Sequence, residues 1–289
     1  MLAFALIAVA FSSFQSTADP SLFAYDTTRP LDVRETARRE DNGVLLRDIT
    51  YATLTGGTNA ATLITPKTPG AQPAPAILFV HWYGPPAATS NRTQFIPDGI
   101  ALAHRGVTSL LIDTPWSVPT WFRTRKREED YARSVQQVRD LRRALDVLMT
   151  QPGIDKTRVA YVGHDFGAMY GTLAAAVDPR VMQFVFMAGT ASFTDWFLYG
   201  PKLEGEARDK FIAEFAPIDP VRWVPKLRGP VLMQFADTDE HVSTARREQL
   251  AAAAPKGAEV RVYKAGHELS DESTRERLAW LRQTLRLGS

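Results

Sequence analysis

From Val44 onward the chain alternates short apolar runs with longer stretches of helical period. Strands are predicted at Val44 to Tyr51, Ala60 to Thr65, Ala76 to His81, Thr108 to Asp113, Val159 to Gly163, Gln183 to Ala188, Val231 to Phe235 and Val260 to Tyr263. Several are unbroken apolar runs, such as Ile77-Leu78-Phe79-Val80 and Leu110-Leu111-Ile112, which suit strands buried on both faces of a parallel sheet. Helical patterns lie between them. The clearest puts Tyr131, Val135, Val138, Leu141, Leu145 and Leu148 at spacings of three and four, and hence on one helix face. Alternation of strand and helix predicts one α/β domain with a mostly parallel eight-stranded sheet flanked by helices. A polar segment, Asp19 to Glu40, precedes the first predicted strand, and Thr65 to Pro75 reads as an exposed connector. The short stretch from Gly189 to Pro230 suggests a more open pocket or a small lid.

The apolar run Leu2 to Phe11 is followed by small residues through Ser16-Thr17-Ala18, which reads as a signal peptide over residues 1–18 and predicts a periplasmic or secreted protein with its domain at 19–289. Its n-region has no Lys or Arg, so the alternative is a segment packed on the domain of a cytoplasmic protein. The run is shorter than the roughly 20 apolar residues of a membrane-spanning helix, and none of that length follows. At 289 residues, 45% apolar and 23% charged, the composition is that of an ordinary globular protein. The absence of Cys removes thiol catalysis and Cys-ligated zinc. With 34 Lys plus Arg against 32 Asp plus Glu, the balance does not imply a nucleic-acid partner. The basic run Arg123 to Arg127 leads into Glu128, Glu129 and Asp130, which reads as a solvated loop and an acid-favoured helix start. No His pair has zinc-motif spacing, and neither metal nor cofactor is expected. Oligomeric state has no signature in the sequence.

The most informative segment is Val162-Gly163-His164-Asp165-Phe166-Gly167-Ala168. Here an apolar strand runs through Gly-x-Asp-x-Gly directly into an Ala-rich helical pattern. This is the strand-turn-helix context of a nucleophile elbow: the glycines let strand and helix approach, and the central side chain is held on a strained turn near the positive end of the helix.

With this elbow, three further segments carry a resemblance: Leu78-Phe79-Val80-His81-Trp82-Tyr83-Gly84, Phe235-Ala236-Asp237-Thr238-Asp239 and Gly266-His267-Glu268. In this order the chain resembles the α/β-hydrolase superfamily, over roughly Leu31 to Leu285, and its body is similar to the dienelactone hydrolase-like group. Those enzymes carry Ser at the elbow. Asp there, within Gly-His-Asp-x-Gly, is similar to epoxide hydrolases and haloalkane dehalogenases.

The resemblance implies a triad of Asp165 as nucleophile, His267 as base and Asp239 as its partner carboxylate, with Asp237 the rival. It implies an oxyanion hole from the N–H of Phe166 together with that of Trp82 or Tyr83. Trp116, His164 and Tyr199 are expected at the substrate pocket; Trp121 and Trp196 are expected to cover sheet ends. His81 reads as loop support and His241 as a loop residue beside Asp239.

A carboxylate is ionised at neutral pH and needs no base to attack. It suits a saturated carbon bearing a leaving group, so a small hydrophobic epoxide or haloalkane, hydrolysed through a covalent ester on Asp165, is the first expectation. The alternatives are hydrolysis of an ester or lactone, and a non-catalytic binding protein that kept the fold.

Overall fold

The computed structural model describes residues 18–68, 70–200 and 202–288. The apolar run Leu2 to Phe11 lies outside the described residues. One sheet is built from β1 (Arg34–Asp41), β2 (Val44–Ala52), β3 (Thr58–Pro66), β4 (Ala74–Val80), β5 (Thr108–Ile112), β6 (Ile154–His164), β7 (Gln183–Met187), β8 (Val231–Ala236) and β9 (Glu259–Tyr263), in the order β1-β2-β3-β5-β4-β6-β7-β8-β9. Strands β4 to β9 are parallel, while β1, β2 and β3 form an antiparallel arm joined to β5. The helices are α1 (Ile96–Ala103), α2 (Trp121–Thr124), α3 (Asp130–Met149), α4 (Phe166–Val177), α5 (Thr194–Phe197), α6 (Gly205–Phe215), α7 (Pro220–Trp223), α8 (Thr244–Ala253) and α9 (Asp271–Thr284).

The continuous apolar runs have the burial their composition requires. On one face, Leu78, Val80, Leu110, Tyr161 and Phe186 pack with Val138, Leu141 and Leu145 of α3 and Leu173 of α4. On the other, Ile77, Phe79, Leu111, Val162 and Val185 pack with Leu102 of α1 and Trp280 and Leu281 of α9. Each fully buried Leu, Val or Phe contributes about 1.5–3 kcal/mol. A buried pair, Arg277 Nη2 to Asp98 Oδ2 at 2.8 Å, ties α9 to α1 beneath the second face.

The sheet has nine strands where eight were expected. The additional one, β1, has the sequence RETARRED, and every residue of it is exposed. It is held by backbone pairing with β2, from Arg34↔Thr50 to Asp41↔Val44, with an irregularity between Glu35 and Ala37. An edge strand with charged side chains and a bulge resists pairing with other chains, and for the same reason carries no apolar alternation.

The elbow depends on two glycines. A Cβ on Gly163 would lie 2.4 Å from the carbonyl oxygen of Gly167, and one on Gly167 would lie 2.3 Å from that of Val80. Helix α4 therefore sits directly against β6 and β4. Since backbone cannot yield as a side chain can, Gly167→Ala should destabilise the fold by about 1–3 kcal/mol or more, read as a fall in the thermal midpoint. An unchanged midpoint would show that α4 can shift freely, and the elbow would then not be pinned.

Candidate active site

The loops after β4, β6, β8 and β9 all leave the carboxyl edge of the sheet. Connections leave β4 and β6 in opposite directions, which opens a crevice at that edge between them. Asp165 lies there with φ 59° and ψ −120°. The strained backbone is held from both sides: the Asp165 N–H donates to Met187 O (2.9 Å), and its carbonyl accepts from Ala168 N (3.0 Å) and Met169 N (3.1 Å).

The structure brings Asp165, His267 and Asp239 together. His267 Nδ1 lies 3.0 Å from both carboxylate oxygens of Asp239, and its Nε2 lies 3.8 Å from Asp165 Oδ1. Asp239 Oδ1 also accepts from His241 N (2.8 Å) and Val242 N (2.9 Å), which orients it. The rival Asp237 instead accepts from Ala265 N (3.2 Å) and braces the His267 loop.

Burial, the largest influence on each of the three groups, acts against charge, but the carboxylates override it at His267. Their hydrogen bonds and charges raise its pKa to about 10. Burial raises Asp165, opposed by His267 and the Tyr83 N–H. Asp239 is lowered despite burial, through its bonds to His267 and to the backbone. The two carboxylates that flank the imidazole favour its protonated form.

The second oxygen of Asp165, Oδ2, accepts from the N–H of Tyr83 at 2.8 Å. Phe166 is the first residue of α4, so its N–H has no partner within the helix. Trp82 was the other expected donor, but its N–H is used elsewhere, by Gln94 Oε1 at 2.9 Å. Gln94 Nε2 in turn lies 2.6 Å from His164 Nδ1, and His164 Nε2 lies 2.9 Å from the carbonyl oxygen of His267. These partners make His164 a neutral Nε2–H tautomer that links the Trp82 loop to the His267 loop. Burial lowers its pKa well below the usual value.

A pocket of about 280 Å³ opens over Asp165, lined by Tyr83, Gly84, Pro85, Phe122, Phe166, Trp196, Tyr199, His241 and His267. Tyr199 is at this wall as expected. Trp116 and His164 are not: Trp116 is buried, donates its indole N–H to His81 O (3.0 Å) and lines a separate cavity, and His164 is fully buried behind the loops. Trp121 also belongs to that separate cavity, whereas Trp196 reaches the catalytic pocket instead of only covering the sheet. His241 went unrecognised as a pocket residue, although its place two residues after Asp239 was the available signal. Its ring meets that of His267 edge to face, centroids 4.9 Å apart. His81 is buried between Trp82 O and the hydroxyls of Thr114 and Ser117, and burial lowers its pKa to about 4. Among the described residues, no group of three or more His, Cys, Asp or Glu is arranged to hold a metal ion, and no helix is long and apolar enough to cross a membrane.

A mostly parallel sheet with an acidic elbow, an acid loop and a terminal His loop defines an α/β-hydrolase. Residues 122–283, more than half of the chain, match the Dienelactone hydrolase family, and the chain belongs to that family. It is a hydrolase of the dienelactone hydrolase and esterase type. The fold is similar to that of an acetyl xylan esterase from Paenibacillus sp. R4 (TM-score 0.74, 19% identity, 91% of each chain covered). It is also similar to acetyl xylan esterase 1 from Thermoanaerobacterium sp. JW/SL YS485 (TM-score 0.67, 18% identity, 90% of this chain and 89% of that one). A third similar structure is a cold-adapted esterase from an Arctic intertidal metagenomic library (TM-score 0.61, 18% identity, 86% and 97% covered). No curated protein matches the sequence.

If Asp239 orients His267 and stabilises its charge, Asp239→Asn should lower kcat by about 10²–10⁴-fold with little change in KM. Steady-state kinetics check this. A variant within threefold of wild type would remove Asp239 from the machinery.

Proposed function

We propose that this hydrolase cleaves small, uncharged, largely apolar carboxylic esters or lactones, with Asp165 as nucleophile, His267 as proton carrier and Asp239 as its orienting partner. The observation that carries the reading is the His267 imidazole held by Asp239 at Nδ1 with its Nε2 3.8 Å from Asp165 Oδ1, where it can pass a proton to an ester's leaving oxygen. Membership of the dienelactone hydrolase family and the esterase-like fold support the substrate class. Among the described residues no Lys or Arg lines the pocket, which favours uncharged substrates.

In this mechanism Asp165 Oδ1 attacks the acyl carbon while the substrate carbonyl oxygen faces the Phe166 N–H. The carbon–oxygen bond to the alcohol breaks, and the leaving oxygen takes the proton of His267. Asp165 is now an uncharged mixed anhydride. Neutral His267 accepts a proton from water, which attacks Asp165 Cγ, and the Tyr83 N–H holds the charge that develops on Oδ2. Collapse releases the carboxylate product and one proton and restores both starting charges.

One observation favours a second reading, attack on the saturated carbon of an epoxide or haloalkane. Oδ2 already occupies the Tyr83 N–H, as hydrolysis of an alkyl ester on Asp165 requires. Its weaker points are the acids and donors such substrates need. The Tyr83 hydroxyl donates outward to Pro119 O (2.9 Å), Tyr199 stands exposed at the rim, and Trp82 is outside the pocket wall.

The test is a panel of p-nitrophenyl esters, lactones and bromobutane scored by proton release, and styrene oxide scored by diol formation, with Asp165→Asn as blank. Turnover of esters or lactones is expected. Turnover confined to the epoxide or haloalkane would replace the first reading with the second, and no turnover at all would favour a binding protein. Single turnover in oxygen-18 water should label Asp165; an unlabelled Asp165 would make it a general base instead. The pH dependence adds a sign. Because the first step uses protonated His267, kcat/KM for an alkyl ester should fall as pH rises through about 10; halide departure needs no proton and should show no such fall.

A further inference from the structure

At the opposite edge of the sheet, where β4, β5 and β6 begin, a cleft of about 660 Å³ is lined by Arg47, Lys67, Arg105, Arg158 and Arg286. No carboxylate is among the described residues of its lining. Three of the cations have acidic partners at its margins: Lys67 with Glu40 (2.8 Å), Arg158 with Asp155 (2.6 Å) and Arg47 with Glu35 (3.8 Å). Arg47 nevertheless keeps a buried Nε without a hydrogen-bond partner.

The other two, both exposed, form no ion pair among the described residues. Arg105 donates only to the carbonyl oxygen of Gly288 (3.2 Å), and Arg286 has no side-chain partner among the described residues. Arg286 also occupies a costly position. It follows the cap of α9 with φ 53°, and the bonds Leu287 N to Arg282 O (2.9 Å) and Arg286 N to Gln283 O (3.1 Å) form the helix-ending turn in which glycine is the usual residue. An arginine kept in left-handed backbone, at a cleft with two guanidinium groups outside any ion pair among the described residues, lacks a structural reason.

We propose that this cleft binds a dianionic phosphoryl group, carried on a soluble phosphate monoester or on a lipid headgroup. Two guanidinium groups without an ion-pair partner among the described residues suit two negative charges, and their planar donors suit phosphate oxygens. The site stands apart from the catalytic pocket, so it does not depend on the reaction proposed above.

The experiment uses the whole chain with inorganic phosphate, at a pH where it is dianionic, against chloride at matched ionic strength, read by calorimetric titration and thermal midpoint. Saturable phosphate binding is expected, weakened about tenfold or more by Arg105→Ala and by Arg286→Gly. Arg286→Gly should also raise the midpoint without phosphate, since glycine relieves the left-handed backbone, so lost binding there is not lost folding. Arg133→Ala, outside the cleft, should bind as wild type does. Equal effects of phosphate and chloride, or wild-type affinity in Arg286→Gly, would overturn the proposal. Glycerol phosphate, compared with phosphatidylcholine vesicles with and without phosphatidic acid, then assigns the phosphoryl group to its soluble or lipid source.

Discussion

Asp165→Asn should lower kcat by about 10⁴-fold or more while leaving the protein folded. The amide is nearly the same shape, its oxygen can still accept the Tyr83 N–H, and Asn tolerates the positive φ that Asp165 adopts. What it loses is the nucleophilic oxygen facing the pocket. It also loses one of the two charges that keep His267 protonated. The imidazole pKa should therefore drop from about 10 toward its ordinary value, a change that NMR of the ring can follow. Kinetics, thermal melts and that titration together distinguish lost chemistry from lost structure. Retention of even a tenth of wild-type turnover would refute nucleophilic attack by Asp165.

The second large effect is expected at His267→Gln, which should separate the two halves of the reaction. With a p-nitrophenyl ester the leaving group departs as an anion and needs no proton, so Asp165 can still be acylated once. Hydrolysis of the intermediate needs a base, and removing it should slow turnover by about 10²–10⁴-fold. The expected record is a burst of one equivalent of p-nitrophenol followed by a slow steady state. Hydroxylamine should capture the acylated Asp165, and the modified peptide should be visible by mass. A slow steady state without any burst would sink the covalent mechanism, because the first step would then also require the base. Under the proposed mechanism, acylation would itself prepare the base: once Asp165 is uncharged and the leaving oxygen has taken the proton, His267 would face one carboxylate instead of two.

How much of this was legible beforehand follows from what each element buries. The strands from β2 to β8 carry apolar residues at buried positions, and their periodicity reports that burial, whereas β9 leaves Val260 and Val262 exposed. β1 was missed because both its faces meet solvent, leaving only charged side chains and backbone pairing. The elbow was legible because close approach of β6, α4 and β4 leaves room for nothing but glycine at positions 163 and 167, a constraint local enough to appear as a motif. The lid segment was recognisable by length, yet nothing in it showed that Trp196 would turn toward Asp165.

The sequence by itself determined the α/β class and marked Asp165, Asp239 and His267 as candidate site residues in that chain order, since these depend on local spacing and on runs of apolar residues. Only the tertiary structure decided between Asp239 and Asp237, and between the N–H groups of Tyr83 and Trp82. It also sent Trp116 and His164 behind the site, brought His241 and Trp196 to its wall, and gathered Arg105 and Arg286 at the far edge of the sheet. Those outcomes rest on contacts between loops distant in sequence, where a shift of one residue turns a donor or carboxylate away and leaves the composition of the loop unchanged.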